Sequence, residues 1–453
     1  REPNNVVALH HLGVITYQEG DAPQATALIG KAIALRPGYA AAHNNLGNAL
    51  RDQGKLEDAV VAYRRALEHK PDYAAAHNNL GVALQDQGKL EDAVVAYRRA
   101  LELKPGYAKA HNNLGNALYD QGMLEDAVVA YCRALELKPD YAEAHENLGM
   151  SLMLLGKLDE GFREYEWRWK KRDFCLGEYL QPQWDGQEYA DKTVLIHAEQ
   201  GLGDTIQFIR YAPLCRARGG RVVFECPKPL VELLRGVDGV DQMVSRGEPV
   251  SPFDFHTPLL NLPRIFGTTL ADIPADVPYI SVPDGVATPP LDPVEGRLRV
   301  GIVWQGNPRH KNDRNRSCPL NHFEALARRD DLTFYSLQVG PVAADLEYLA
   351  VDASIHDMGT QLNNFADTAA VVAQLDLVIT VDTAMAHLVG ALARPVWTLL
   401  PFAPDWRWLL GRDDSPWYPT MRLFRQARPG DWHDVFDRVD RALTVLTAES
   451  DRR

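Results

Sequence analysis

A 34-residue period governs the first third of the chain. His43-Asn-Asn-Leu46-Gly47 returns as His77-Asn-Asn-Leu80-Gly81 and His111-Asn-Asn-Leu114-Gly115, then loosens to His145-Glu-Asn-Leu148-Gly149. Pro37, Pro71, Pro105 and Pro139 keep the interval, as do Tyr39, Tyr73, Tyr107 and Tyr141. Within one unit, Leu46, Gly47 and Leu50 share one helical face, Ala59 and Tyr63 share the next, and a proline closes the unit. A hairpin of two short helices cannot bury its apolar face alone. Such units therefore stack into a superhelix with a concave surface. Four full units run from Val6 to Tyr141, and a fifth drifts after Leu155.

Helix phase says what the concave surface presents. Asn45, Asn48 and Asp52 lie nearly opposite the packing side, and repetition aligns Asn45, Asn79, Asn113 and Asn147 in a row. An amide offers both a donor and an acceptor, so this row suits the backbone of an extended peptide; it equally suits a solvated face. The spacing resembles the tetratricopeptide template, with His in place of its usual Trp. The row is similar to the asparagine ladder of eukaryotic O-linked N-acetylglucosamine transferases. That resemblance implies a protein or peptide acceptor held in the repeat groove.

Composition narrows the rest. A net charge of −13 argues against nonspecific binding to nucleic acid or to an anionic membrane. No apolar run reaches the roughly 18 residues that suggest a membrane span. Five scattered cysteines, at 132, 175, 215, 226 and 318, form no C-x-x-C pair and fit a reducing compartment. With no signal peptide visible, the expected location is cytoplasmic, although the chain begins Arg1-Glu2-Pro3 without a Met.

After the repeats comes an aromatic and basic joint, Gly161 to Trp184, in which Trp167 and Trp169 are expected to cap the last repeat. Strand–loop–helix–strand patterns follow. Thr193 to His197 and Arg221 to Glu225 read as strands around a helix from Thr205 to Ala217, with Ile206, Ile209 and Leu214 turned inward. The first loop carries Gly201, Gly203 and Asp204; the third glycine of a dinucleotide fingerprint is replaced by Ile206. Asp204 suits a helix N-cap. The Pro-rich tract from Pro274 to Pro293 carries little recognisable chemistry, and Pro289 to Pro293 reads as an interdomain linker.

A second set opens with the strand Arg299 to Trp304, then Gln305 and a basic loop with Lys311 and Arg316. Thr333 to Leu337 is a strand ending at Gln338. Leu375 to Val381, an Ala-rich helix and Val396 to Leu400 make a βαβ unit whose turn carries Asp382, Thr383 and, one helical turn on, His387. Ligands of open α/β sheets sit at the carboxyl ends of strands, beside helix N-termini. The basic loop suits a diphosphate, Gln305 and Gln338 suit base or ribose, and His387 suits either phosphate or a core hydrogen bond to a carbonyl.

These motifs resemble the heptosyltransferases, a GT-B family. Asp382-Thr383-Ala384-x-x-His387 is similar to that family's D-[ST]-G-x-x-H donor motif, with Ala384 for its glycine. Arg316-Ser-Cys-Pro319 is similar to its phosphate-contacting basic residue, and Gly203-Asp204 to its S-x-G-D motif, with Gly201 at the Ser position. The resemblance implies a repeat superhelix (1–172) followed by two Rossmann-like doubly wound domains (173–290 and 291–453). It further implies an inverting, metal-independent glycosyltransferase with no cofactor beyond its nucleotide-sugar co-substrate. Asp204 would be the base, and Gln305, Lys311, Arg316, Gln338, Asp382, Thr383 and His387 would hold the donor. The whole layout is similar to bacterial protein glycosyltransferases that modify flagellin. Two alternatives remain: transfer to a glycan or lipid-linked acceptor, and a non-catalytic scaffold with a vestigial sheet region.

Overall fold

The computed structural model describes residues 4–171, 179–291, 296–310, 312–349 and 355–450. Lys311 and Cys175 lie outside the described residues. The chain divides into two compact units. One takes in the repeats through Leu152 and resumes at Glu164, and the other holds Met153–Arg163 and both sheets. The two sheets expected as separate domains thus share one unit.

Ten helices open the chain: α1 (Val6–Gln18), α2 (Ala22–Leu35), α3 (Ala40–Asp52), α4 (Leu56–His69), α5 (Ala74–Asp86), α6 (Leu90–Leu103), α7 (Ala108–Asp120), α8 (Leu124–Leu137), α9 (Ala142–Leu154) and α10 (Leu158–Tyr165). Glycine and tyrosine set the packing distance within each hairpin. A Cβ on Gly47 would come within 2.5 Å of the Tyr63 ring, and Gly81 on Tyr97 and Gly115 on Tyr131 repeat the approach. The histidine that stands for the template's tryptophan has a local task. Its Nε2 donates to the carbonyl of the preceding repeat proline, His43 to Pro37 at 2.8 Å and His77 to Pro71 at 3.0 Å. At the fifth unit His145 also meets Glu164 at 2.5 Å, and Trp167 stacks on its ring at 3.8 Å. Trp167 closes the series, as expected.

In the second unit a parallel sheet of β1 (Thr193–His197), β2 (Arg221–Cys226), β3 (Gln242–Ser245) and β4 (Phe255–Pro258) runs in the order β3-β2-β1-β4. A second parallel sheet comprises β5 (Leu298–Val303), β6 (Leu332–Ser336), β7 (Ile355–Asp357), β8 (Leu377–Val381), β9 (Val396–Leu400) and β10 (Met421–Arg425), in the order β10-β9-β8-β5-β6-β7. Counted from β5, this is the doubly wound 3-2-1-4-5-6 order, which reverses between β5 and β8. Strand β8 is buried along its whole length, which is why it reads as an unbroken apolar run.

The helix expected over Thr205–Ala217 is broken. It consists of α11 (Leu202–Phe208), a 3-10 turn (Ile209–Tyr211) and α12 (Ala212–Arg216). The tighter turn shifts the helical phase, so Ile206 and Ile209 are buried but Leu214 faces solvent, contrary to the period-3.6 reading. The remaining helices are α13 (Leu262–Ile265), α14 (Asp313–Arg316), α15 (Asn321–Ala327), α16 (Phe365–Val372), α17 (Ala384–Ala391) and α18 (Trp432–Ser450). Trp406 and Trp417 meet Phe208 of the first sheet's helix at 6.3 and 5.7 Å, joining the two halves.

Candidate functional site

The carboxyl ends of β5 and β8 flank the strand-order reversal, so Trp304–Gln305 and Asp382–Thr383 are neighbours by topology. Thr383 is the N-cap of α17, its hydroxyl accepting from the Met385 N–H at 3.3 Å. Asp382 is half-buried. Burial first, then the carboxylate of Asp405, raises its carboxyl to about 6, against the pull of the Trp408 indole, Arg316 and Arg407.

From the first sheet, α11 brings Asp204 to the same place. Gly201, not Asp204, is the N-cap; Asp204 is the third helical residue, and its Oδ2 accepts from the Gly201 N–H at 2.8 Å. Its other oxygen is ion-paired with Arg407. Arg407 is itself buried. It also holds Asp405 at 2.7 Å and donates through Nε to Gln207 Oε1 at 2.7 Å. One guanidinium thus ties Asp204 to Asp405, which in turn presses on Asp382. Gly203 lets the halves close up. A Cβ there would lie 2.8 Å from His387 Cδ2 and 3.3 Å from the Ala384 backbone, so the approach needs a glycine.

Arg316 folds over Gly306, where a Cβ would come within 2.5 Å of its Nη2. It pairs with Asp313 at 3.3 Å, which leaves further N–H groups of its five for an anion. Nearby His310 is held below the usual histidine range by burial and by Arg316, against Asp313, Asp405 and Asp204. On the other side of α14 a cleft of about 420 Å³ is lined by Trp304, Gln305, Asp313, Ser317 and Trp432 among others. The indole N–H of Trp304 is buried there without a partner among the described residues.

Two expectations change. Gln338, expected at the base or ribose, has its amide engaged within the protein. Its Oε1 accepts from the Trp304 and Gln305 N–H groups at 3.3 and 3.1 Å, while its Nε2 donates to the Gln305 and Val339 carbonyls. Its amide is filled, and it braces the loop after β5. The asparagine row is not a purely presented surface either. Asn79, Asn113 and Asn147 each donate at 3.0 Å to the buried Asn44, Asn78 and Asn112 of the preceding repeat. In return Asn78 donates to Asn79 at 3.2 Å, and Asn45 bonds His10 at 2.9 Å. Asn79 keeps about one donor and one lone pair for anything else.

Arg407, Asp405 and Tyr418 escape a reading by motif. The signal for the first two is their position directly after the carboxyl end of β9. Tyr418, whose hydroxyl lies 3.0 Å from His387 Nδ1, gives none.

Comparison with known proteins bears mainly on the first unit. The model of the TPR repeat family matches residues 47–88, 84–122 and 115–156. The N-terminal helices are TPR repeats. Protein FlbA of Caulobacter vibrioides is 26% identical over 323 residues, covering 64% of this chain and 53% of FlbA. The chain therefore spans about half the length of that curated relative, and the likeness extends beyond the TPR region into the α/β unit. Among solved structures, MamA is 24% identical over 35% of this chain and 92% of its own, with a TM-score of 0.32. YrrB, a TPR protein with an unusual peptide-binding site, is 20% identical over 37% of this chain and 87% of its own, also at 0.32. Likeness at that level carries no further argument. Among the described residues no helix is long and apolar enough to cross a membrane.

Proposed function

We propose that the chain is an inverting glycosyltransferase that moves a sugar from a nucleotide-sugar donor to a Ser or Thr hydroxyl of a protein bound by the TPR repeats. The observation that carries this reading is the convergence of Asp204 from one sheet with Asp382 and Arg316 from the other. They meet where the second sheet reverses its strand order. Asp204 takes the proton of the acceptor hydroxyl as its oxygen bonds the anomeric carbon. The bond from that carbon to the phosphate oxygen breaks, and the nucleoside diphosphate leaves with the electron pair. General-base help of this kind contributes about 10²–10⁴ in rate. Asp204 retains lone pairs beyond those facing Gly201 and Arg407. Arg316, Lys311 and the start of α17 receive the charge on the leaving phosphates, so the mechanism calls for no metal. Gln305 and its cleft receive the nucleoside.

Asp204→Asn should lower transfer by about 10²–10⁴ while binding of nucleoside diphosphates, read by calorimetry, persists. Normal transfer by that variant would remove Asp204 from the chemistry.

One observation favours a second reading, transfer to a glycan or lipid-linked sugar: the asparagine amides are half engaged within the repeats. On that reading the TPR repeats only recruit partners, and replacing Asn79 and Asn113 leaves turnover of the acceptor untouched.

A further inference from the structure

Arg210 is buried and faces no carboxylate among the described residues. Its Nε donates to the Gln207 carbonyl at 2.8 Å. Its Nη1 donates to the Pro274 and Trp417 carbonyls at 3.2 and 2.7 Å, and its Nη2 to the Tyr279 hydroxyl at 2.8 Å. It also lies 4.5 and 4.6 Å from the rings of Tyr279 and Tyr418. A guanidinium only donates, so it sets the direction of every bond beyond it.

Tyr279 accepts from Arg210, and its own proton goes to the Ile206 carbonyl at 3.0 Å. Tyr418 can then donate in two directions, to Tyr279 at 3.5 Å or to His387 Nδ1 at 3.0 Å. The shorter contact, to an atom with a free lone pair, takes the proton. Burial holds the Tyr418 phenol well above its ordinary range, so it stays a donor. Burial, with Arg407 and Arg210 adding to it, holds His387 well below its ordinary range, so the ring is neutral. A neutral imidazole that accepts at Nδ1 carries its hydrogen on Nε2.

The Cδ2–Nε2 edge of that ring lies against Gly203, the residue before Asp204, and Trp408 stacks on its face at 5.3 Å. Nε2 has no hydrogen-bond partner among the described residues.

We infer that Tyr418, directed by Arg210 and Tyr279, is a positioning residue that locks His387 as a neutral Nε2–H donor toward the loop bearing Asp204. The group it serves is an oxygen acceptor. If the transferase reading holds, that acceptor is an oxygen of the donor diphosphate, bonded without taking up a proton. His387 in this state is neither a base at Nε2 nor a cation. A cation there would repel Arg407 and Arg210; a neutral donor does not. The lock itself does not depend on which ligand binds.

The test is long-range proton–nitrogen NMR on the full chain labelled with 15N-histidine, with the His387 signals assigned by their loss in His387→Gln. In the wild type, Nδ1 should resonate as an unprotonated nitrogen and Nε2 as a protonated one, unchanged through the neutral pH range. In Tyr418→Phe, which keeps the ring and removes the hydroxyl, the two nitrogens should average and begin to titrate. Affinity for a nucleoside diphosphate should fall about fivefold, the equivalent of one hydrogen bond. A wild-type spectrum with Nδ1 protonated overturns the inference even if Tyr418→Phe fails to fold. So does a folded Tyr418→Phe with an unaltered His387 spectrum. A correct tautomer in a chain that binds no nucleotide leaves the lock standing and removes the transferase reading instead.

Discussion

The TPR unit and the α/β unit bury polar groups by different rules. In the repeats one solution recurs. Asn44, Asn78 and Asn112 are buried, and each accepts at 3.0 Å from the amide one repeat further on. In the α/β unit the buried polar groups that are satisfied have no shared scheme. Arg210 is held by carbonyls and a phenol, Arg407 by two carboxylates and an amide, and Gln338 by a loop backbone. Most of the buried side-chain polar atoms without a partner among the described residues lie in this second unit, the Trp304 N–H beside a cleft. Periodic polarity holds neighbours together and tolerates redundancy. Singular polarity, above all buried charge, carries a desolvation cost that cohesion alone does not require.

Three substitutions sharpen that contrast. Arg407→Ala should have the largest effect, because it strands Asp204 and Asp405 without their shared cation. Removing one partner from a buried ion pair costs about 3–5 kcal/mol, which urea unfolding would read as a lower midpoint. A loss near zero would mean the cluster is wetter than the structure has it.

Asp382→Asn should act in the opposite direction and only above a certain pH. The carboxyl stands at about 6 in the fold against 3.8 when unfolded, so folding favours its protonated form. Its contribution is fully present below about 3.8, declines as pH rises toward 6, and is a constant penalty beyond. The asparagine variant should be more stable than the wild type at pH 8, by at most ~3 kcal/mol, and equal to it at pH 3.5. Thermal melts at the two pH values decide it, and a difference independent of pH would refute the assignment.

Asn79→Ala should have the smallest effect. It leaves the buried Asn44 oxygen and one Asn78 N–H unsatisfied, a loss of about 1–2 kcal/mol spread over a repeating array. If the row also binds peptide, affinity for the acceptor falls by more than stability does. If the two fall in step, the row is cohesive only.

Much of the architecture was legible because it is local. The 34-residue period gave the helix pairs, and apolar runs gave β1, β5, β6, β8 and β9 to within two residues. The site was legible only in part. Asp204, Asp382 and Arg316 do converge, since each follows a strand's carboxyl end, and that is a rule of topology. Arg407 was missed because its partner Asp204 is distant in sequence, and no spacing encodes such a pairing. Gln338 misled for a related reason: at a strand end, an amide that braces a loop looks the same as one awaiting a ligand. Leu214 failed because a single 3-10 turn resets the phase. The Pro-rich tract, which offered little recognisable chemistry, supplies Tyr279 to the Arg210 network, since a residue's neighbours in space need not be its neighbours in the chain.

The stacking of Trp167 on His145 sets the last unit of the TPR array apart. In an earlier unit the equivalent His43 stacks instead on His69 of its own hairpin, at 5.7 Å. In the fifth the indole covers the histidine, whose second nitrogen is already held by Glu164. A unit duplicated between Pro71 and Pro105 would find the same glycine, tyrosine and asparagine contacts on both sides. Lengthening by internal duplication is therefore a route open to this chain, and the near-identity of its three central copies is the mark such a history would leave.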